Sequence, residues 1–217
     1  MKKRTTRLRA GRCQAREIVS RLRDLYPDAE CELRHENPFQ LLIATILSAQ
    51  TTDKAVNQVA PGLFHLYPDA VSLAEADTAR VEGLISRLGL FRNKARSIVG
   101  SARCLVEHFG AKVPREREAL ESLPGVGRKT ASVVLSTAFG VPALAVDTHV
   151  GRLARRLGLS QQQDPGKVEQ ELTALLPEED WGFTSHALIW HGRRVCSARG
   201  PRCTECALAE LCPSCTR

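Results

Sequence analysis

Apolar residues recur at helical spacing along most of this chain. Ala95, Ile98, Val99, Ala102, Leu105, Val106 and Phe109 fall on one stripe, behind a polar start at Arg92 and Asn93 and ahead of Gly110. One long amphipathic helix is predicted there. Phe39 to Leu47 is apolar almost all round, with Pro38 before it and Ser48 after it, the pattern of a helix buried at the centre of a bundle. Further helices are expected near Ala15 to Leu25, Asp53 to Phe64, Asp77 to Leu88, Glu116 to Ser122, Arg128 to Phe139, Thr148 to Leu157, Gly166 to Leu176 and Trp181 to Val195. No segment alternates with period two, and no fixed-period repeat is evident. The predicted class is all-α, with short helices joined by Gly- or Pro-containing turns such as Leu66 to Asp69, Phe109 to Pro114 and Leu123 to Gly127.

Composition narrows the function classes. With 217 residues, 43% of them apolar, the chain can bury the core of one domain or of two small ones sharing an interface. The formal charge of +7 suits a polyanionic partner such as nucleic acid, and leaves an acidic ligand or a membrane surface open. No apolar run approaches the roughly 20 residues of a spanning helix, and the N-terminus lacks a secretory signal's apolar stretch. The expectation is a soluble, cytoplasmic protein, nucleoid-associated if bacterial, with no membrane partner. Met1 to Arg12 carries Lys2, Lys3, Arg4, Arg7, Arg9 and Arg12 and no acidic residue. It reads as a disordered tail that attracts phosphates, is merely solvated, or serves as a transit peptide.

Leu123-Pro124-Gly125-Val126-Gly127-Arg128-Lys129-Thr130 lies between two predicted helices. Its glycines allow unusual dihedrals and close approach of the backbone to another molecule. The turn ends at a helix N-terminus, where unpaired N–H groups and the helix dipole favour a phosphate without any side chain. As a Gly-x-Gly turn alone, it would equally serve as a plain connection.

The eight cysteines would suggest disulfides in a small secreted domain, but nothing points to export. Cys196, Cys203, Cys206 and Cys212 have the spacing C-x6-C-x2-C-x5-C, four soft thiolates in a segment too short to form its own core. Such sets hold zinc or an iron–sulfur cluster. Cys215 is a fifth nearby thiol. Cys13, Cys31 and Cys104 read as ordinary helix residues.

The order of these features resembles the endonuclease III family of helix-hairpin-helix DNA glycosylases. Gln50 in Leu47-Ser48-Ala49-Gln50, Leu-Pro-Gly-Val-Gly followed by Lys129, Val146-Asp147-Thr148-His149 and the terminal cysteines all fall in that family's sequence. The resemblance covers roughly Leu41 to Cys212. It implies a base-excision repair enzyme: a DNA N-glycosylase for oxidised pyrimidines, coupled to abasic-site lyase cleavage through a lysine Schiff base. The implied partner is double-stranded DNA containing damaged bases or abasic sites, met by a monomer with one [4Fe-4S] cluster on Cys196, Cys203, Cys206 and Cys212. Adenine-specific relatives without the lyase step typically lack a lysine at the place of Lys129. The alternatives are a monofunctional glycosylase and a noncatalytic DNA-binding or redox-sensing iron–sulfur protein.

The resemblance also assigns roles. Lys129 is the nucleophile at C1′, Asp147 assists departure of the base, Gln50 plugs the vacated stack and Leu90 wedges the opposite strand. Gly125, Val126, Gly127, Arg128, Thr130 and His149 are expected at the DNA. A neutral amine can attack a sugar carbon and an ammonium cannot, so the pKa of Lys129 must fall; the helix end, Arg128 and partial burial would each contribute. Without the family pattern, Lys129 reads as a surface lysine, Asp147 as the N-cap of a helix starting at Thr148, Leu90 as a core leucine and Gln50 as a solvated or capping amide. The chain between Lys129 and Asp147 is long enough for the two to meet, a helix rising roughly 18 Å and a connection spanning about 23 Å. Phe91 stands where bacterial members often have tyrosine and Thr51 where alanine is frequent, departures that bear on damage preference and opposite-base contacts. The implied layout is a six-helix lobe over 31–141 holding the hairpin, and a second lobe of 1–30 plus 142–217 with the cluster loop, DNA lying across the cleft.

Overall fold

The computed structural model describes the backbone of residues 2–216 and the side chains of residues 11–216. Met1 to Arg12, expected as a disordered tail, is instead helical from Lys2 as the start of the helix Lys2–Leu25, its side chains before Gly11 lying outside the described residues. Eleven α-helices and three short 3-10 turns account for the regular structure among the described residues, with no strand, so the all-α class is borne out. The chain divides into two compact units, one formed by Cys31–Val141 and the other by Met1–Glu30 with Pro142–Arg217.

The central unit is built around α2 (Pro38–Leu47), whose residues from Phe39 to Leu47 are all buried. Asn37 caps it by accepting from Gln40 N–H at 2.9 Å, and Pro38 occupies the first turn, where its missing N–H costs nothing. α3 (Asp53–Leu66), α6 (Phe91–Phe109) and α8 (Arg128–Phe139) pack on α2, so a helix with no polar face finds apolar partners on several sides. α4 (Ala70–Ala74) and α5 (Thr78–Leu84) pack on α6, and α7 (Arg117–Glu121) on α8.

Seven helices thus lie within this unit among the described residues, where six were predicted. The addition is α4, five residues long and too short to show a helical period; a reciprocal Asp69–Ser72 capping box starts it. α5 ends at Leu84 rather than Leu88. Ile85 and Leu88 are still buried, but Leu88 N–H bonds back only three residues, to Ile85 O, and the chain has left the α-helix.

The second unit packs α1 (Lys2–Leu25), α9 (Thr148–Arg156), α10 (Pro165–Leu175) and α11 (Trp181–Arg194) around one core. Ala15, Ile18, Val19 and Leu22 of α1 meet Val150, Leu153, Val168, Leu172, Ala187 and Leu188 there. Leu208, between two of the cysteines, is fully buried in the same core. Cys31 lies in an irregular stretch between α1 and α2 rather than in a helix; Pro27 and the polar run around it break any helical pattern. No helix among the described residues is long and apolar enough to cross a membrane.

Candidate active site and thiol cavity

The hairpin between α7 and α8 is held from below by α6. Ser101, fully buried, donates its hydroxyl proton to Pro124 O at 2.6 Å. Gly125 has φ +79°, and a Cβ there would stand 2.7 Å from Ser97 Cβ and 3.2 Å from Ile46 Cγ2; both dihedral and space require glycine. Val126 N–H closes the turn on Leu123 O, and the Val126 side chain is buried. Val126 therefore shapes the hairpin from within, and only its backbone is left to meet a ligand. A Cβ on Gly127 would meet nothing, so the backbone there is open to approach.

α8 begins at Gly127 without a side-chain cap. Its first N–H groups are the ordinary anion-binding element of a helix end. Arg128 and Lys129 are exposed and Thr130 is half-buried. The partial burial expected for Lys129 is absent. Arg117 ties α7 to α8 by donating to Ser132 Oγ at 3.0 Å, and within α7 it pairs with Glu121 at 3.6 Å.

Gln50 and Leu90 stand at two loop tips of the same unit. Gln50 follows the end of α2 with φ 52°, and Leu90 precedes α6 with φ 59°. Left-handed backbone is unfavourable for residues with a Cβ, and such strain collects at functional sites. Leu90 is 56% exposed, which removes its reading as a core leucine. The sequence reading missed Lys94, the neighbour of both tips. It is 4% exposed on α6, its ammonium donates to Thr51 Oγ1, and burial pushes its pKa down. The available signal was a lysine four residues before Ile98, in line with the apolar stripe.

In the second unit Asp147 is the N-cap of α9, its carboxylate accepting from Val150 N–H at 2.8 Å. His149, half-buried, has its Nδ1 3.2 Å from Arg152, and its pKa is lowered chiefly by burial against the opposing pull of Asp147. The ring is thus engaged with the protein.

Cys196, Cys203, Cys206 and Cys212 line one cavity of about 240 Å³, together with Cys215, His191 and Arg156. Cys196 Sγ accepts from Arg156 at 3.1 Å. Cys206 Sγ lies 3.4 Å from Nε2 of His191, whose pKa burial pushes down to about 4. Burial raises the Cys206 and Cys212 thiols, while hydrogen bonds from Thr216 lower Cys203. Among the described residues no three His, Cys, Asp or Glu side chains are set to hold a single metal ion; the thiols frame a space rather than a point.

Residues 43–178 match the HhH-GPD superfamily of base excision DNA repair proteins, a span that includes the hairpin, Lys129 and Asp147. The chain is 54% identical to endonuclease III of Synechocystis over 93% of its length and 92% of that protein, and 47% identical to that of Bacillus subtilis over 89% of each. The chain belongs to the endonuclease III family. A non-covalent endonuclease III–DNA complex shares its structure with a TM-score of 0.90 and 46% identity, over 94% of this chain and 95% of that one. A trapped endonuclease III–DNA covalent intermediate matches with a TM-score of 0.90 and 45% identity over 94% and 96%. Endonuclease III membership makes this a base excision repair protein, and the exposed lysine, bare helix end and two strained tips are the parts of it that face outward.

Proposed function

We propose that this chain binds damaged double-stranded DNA, removes oxidised pyrimidines and cuts the strand at the abasic site through a Schiff base on Lys129. The observation that carries this is the exposed Lys129 in the first turn of α8, directly behind the uncapped N-terminus. Relatives of the same family have been captured with DNA both non-covalently and as a covalent intermediate.

The first N–H groups of α8 and the open backbone at Gly127 take a phosphate, a contact indifferent to base sequence. Extraction of the damaged nucleotide costs a few kcal/mol of stacking. Gln50 enters the vacated space and Leu90 presses on the opposite strand, their strained backbones already set for it. The neutral amine of Lys129 attacks C1′ as the bond to the base breaks, and Asp147 assists that departure and stabilises the charge that develops on the sugar. The sugar ring opens to leave an imine on Lys129. Loss of the neighbouring 2′ proton then expels the 3′ phosphate.

The four-thiol cavity fits a [4Fe-4S] cluster, which Cys196, Cys203, Cys206 and Cys212 would hold. Bound there, the cluster supplies cross-links that fix a loop with little core of its own. Arg156 steadies the loop by donating to Ser197 O at 2.8 Å and Ala198 O at 3.0 Å as well as to Cys196. Soluble, cytoplasmic action on the chromosome accords with these chemical roles.

Borohydride trapping on a duplex with one abasic site tests the reading. Wild-type protein is expected to form an adduct that Lys129→Ala does not. No adduct from folded, cluster-loaded wild type would leave a monofunctional glycosylase or a DNA-binding protein.

A further inference from the structure

One residue is bonded to both loops that carry the strained tips, by its backbone to one and by its side chain to the other. Lys94 donates its backbone N–H to Leu90 O at 3.0 Å, and its ammonium to Thr51 Oγ1, the residue directly after Gln50. It is almost fully buried, and among the described residues no carboxylate pairs with it. A buried cation without an ionic partner is destabilising, and burial indeed lowers its pKa. A methionine would fill the same space without that cost. The ammonium is turned into the protein rather than toward solvent. What it does do is fix Thr51 relative to the start of α6.

We propose that Lys94 is a positioning residue that sets the separation and orientation of Gln50 and Leu90, its ammonium holding the Thr51 hydroxyl from the first turn of the helix that Leu90 begins, so that both tips enter the duplex together. This rests on the reading of the chain as a glycosylase that extracts a nucleotide. Ser48 O accepts from Thr51 N–H at 3.0 Å, Ala49 N–H returns to Ile46 O at 3.3 Å and the Ser48 hydroxyl donates to Thr45 O at 2.8 Å, so the Gln50 turn is tied to α2 by local bonds. The Lys94–Thr51 bond is the side-chain tie that joins it to the Leu90 turn. An alanine at 51 would leave the ammonium without a side-chain acceptor.

The test uses the cluster-loaded full chain, wild type beside Lys94→Met, Thr51→Val and Thr51→Ser. The probes are a duplex with one oxidised pyrimidine, the same duplex with 2-aminopurine opposite an abasic site, and a single strand with an abasic site. Lys94→Met and Thr51→Val are each expected to slow base removal from the duplex about tenfold, the loss of one charge-assisted hydrogen bond, and to weaken the 2-aminopurine signal of the unstacked opposite base. Borohydride trapping on the single strand stays at the wild-type level, because there is no stack to fill. Thr51→Ser restores both duplex readouts, and the Tm of Lys94→Met equals or exceeds that of wild type. Variants that match wild type on the duplex, or that lose trapping equally on the single strand, overturn the inference. So does a fall in Tm for Lys94→Met with Thr51→Val behaving as wild type, which marks the lysine as structural. Should Lys94→Met fail to fold, Thr51→Val removes the same bond, together with the 3.4 Å bond from Thr51 Oγ1 to Ala49 O, and the contrast with Thr51→Ser decides. Wild type that traps nothing on either substrate defeats the glycosylase-lyase reading and this inference with it, whereas a defect confined to the variants concerns Lys94 alone.

Discussion

Asp147 shows how one residue carries two readings that only a substitution separates. Its carboxylate caps α9 through Val150 N–H, and the proposed chemistry also needs its charge. Asparagine caps as well as aspartate, so Asp147→Asn is expected to melt within about 0.5 kcal/mol of wild type while losing base removal; thermal melts and single-turnover assays on one preparation check both halves. Leu90 presents the opposite balance of stability and function. Its left-handed backbone costs roughly 1–2 kcal/mol, so Leu90→Gly should leave stability unchanged or raise it by about 1 kcal/mol. Base removal from duplex DNA should fall in the same protein, and a variant losing both would argue that Leu90 is merely packed. Asp147 as a cap was legible because Asp before Thr-His-Val is a local pattern. The strain at Gln50 and Leu90 was not, since nothing in Ser-Ala-Gln-Thr or Leu-Gly-Leu-Phe demands a positive φ.

At the scale of elements, the hairpin is less a loop than the upper surface of α6. Gly125 has no room for a methyl group above Ser97 and Ile46, and Ser101 holds Pro124 O. Gly125→Ala is therefore expected to cost about 2–4 kcal/mol, from the dihedral and from overpacking. Denaturant titration measures it, and a loss under 1 kcal/mol would mean that the hairpin shifts freely. Long periodic helices such as α2, α6 and α8 were legible because their faces are set by burial over several turns. α4 was not, because one capping box and five residues carry no period. Nor was the end of α5, where Ile85 and Leu88 keep the apolar spacing after the helix has stopped. Lys94 was passed over for a related reason: a lysine beside an apolar stripe ordinarily reaches solvent, and only tertiary packing closes that route.

For the whole molecule, charge and the thiol cavity set the expectations. Binding to DNA should weaken steeply as salt rises, since the helix end and the basic side chains act on phosphates; a flat dependence in a titration series would contradict phosphate recognition. Cys206→Ser is expected to lower iron and sulfide content and to depress the Tm, because Cys206 packs on the same core that encloses Leu208. Undiminished iron content would place the ligand elsewhere, Cys215 being the thiol to examine on the same cavity wall. The four-cysteine spacing was readable in the sequence. Its dependence on α1 was not, because that contact joins residues far apart in the chain: Gln14 donates to Leu211 O at 3.0 Å and Arg21 to Ala207 O at 3.0 Å.

That long-range bracing has a consequence for synthesis. The central unit is complete in the nascent chain once Val141 has emerged, whereas α1, made first, must wait for α9 to α11 and the cysteine loop before its apolar face is covered. During that interval Ile18, Val19 and Leu22 stay open to solvent and to other chains. The hazard ends only when the last cysteines leave the ribosome, which makes the late stage of translation a determinant of yield.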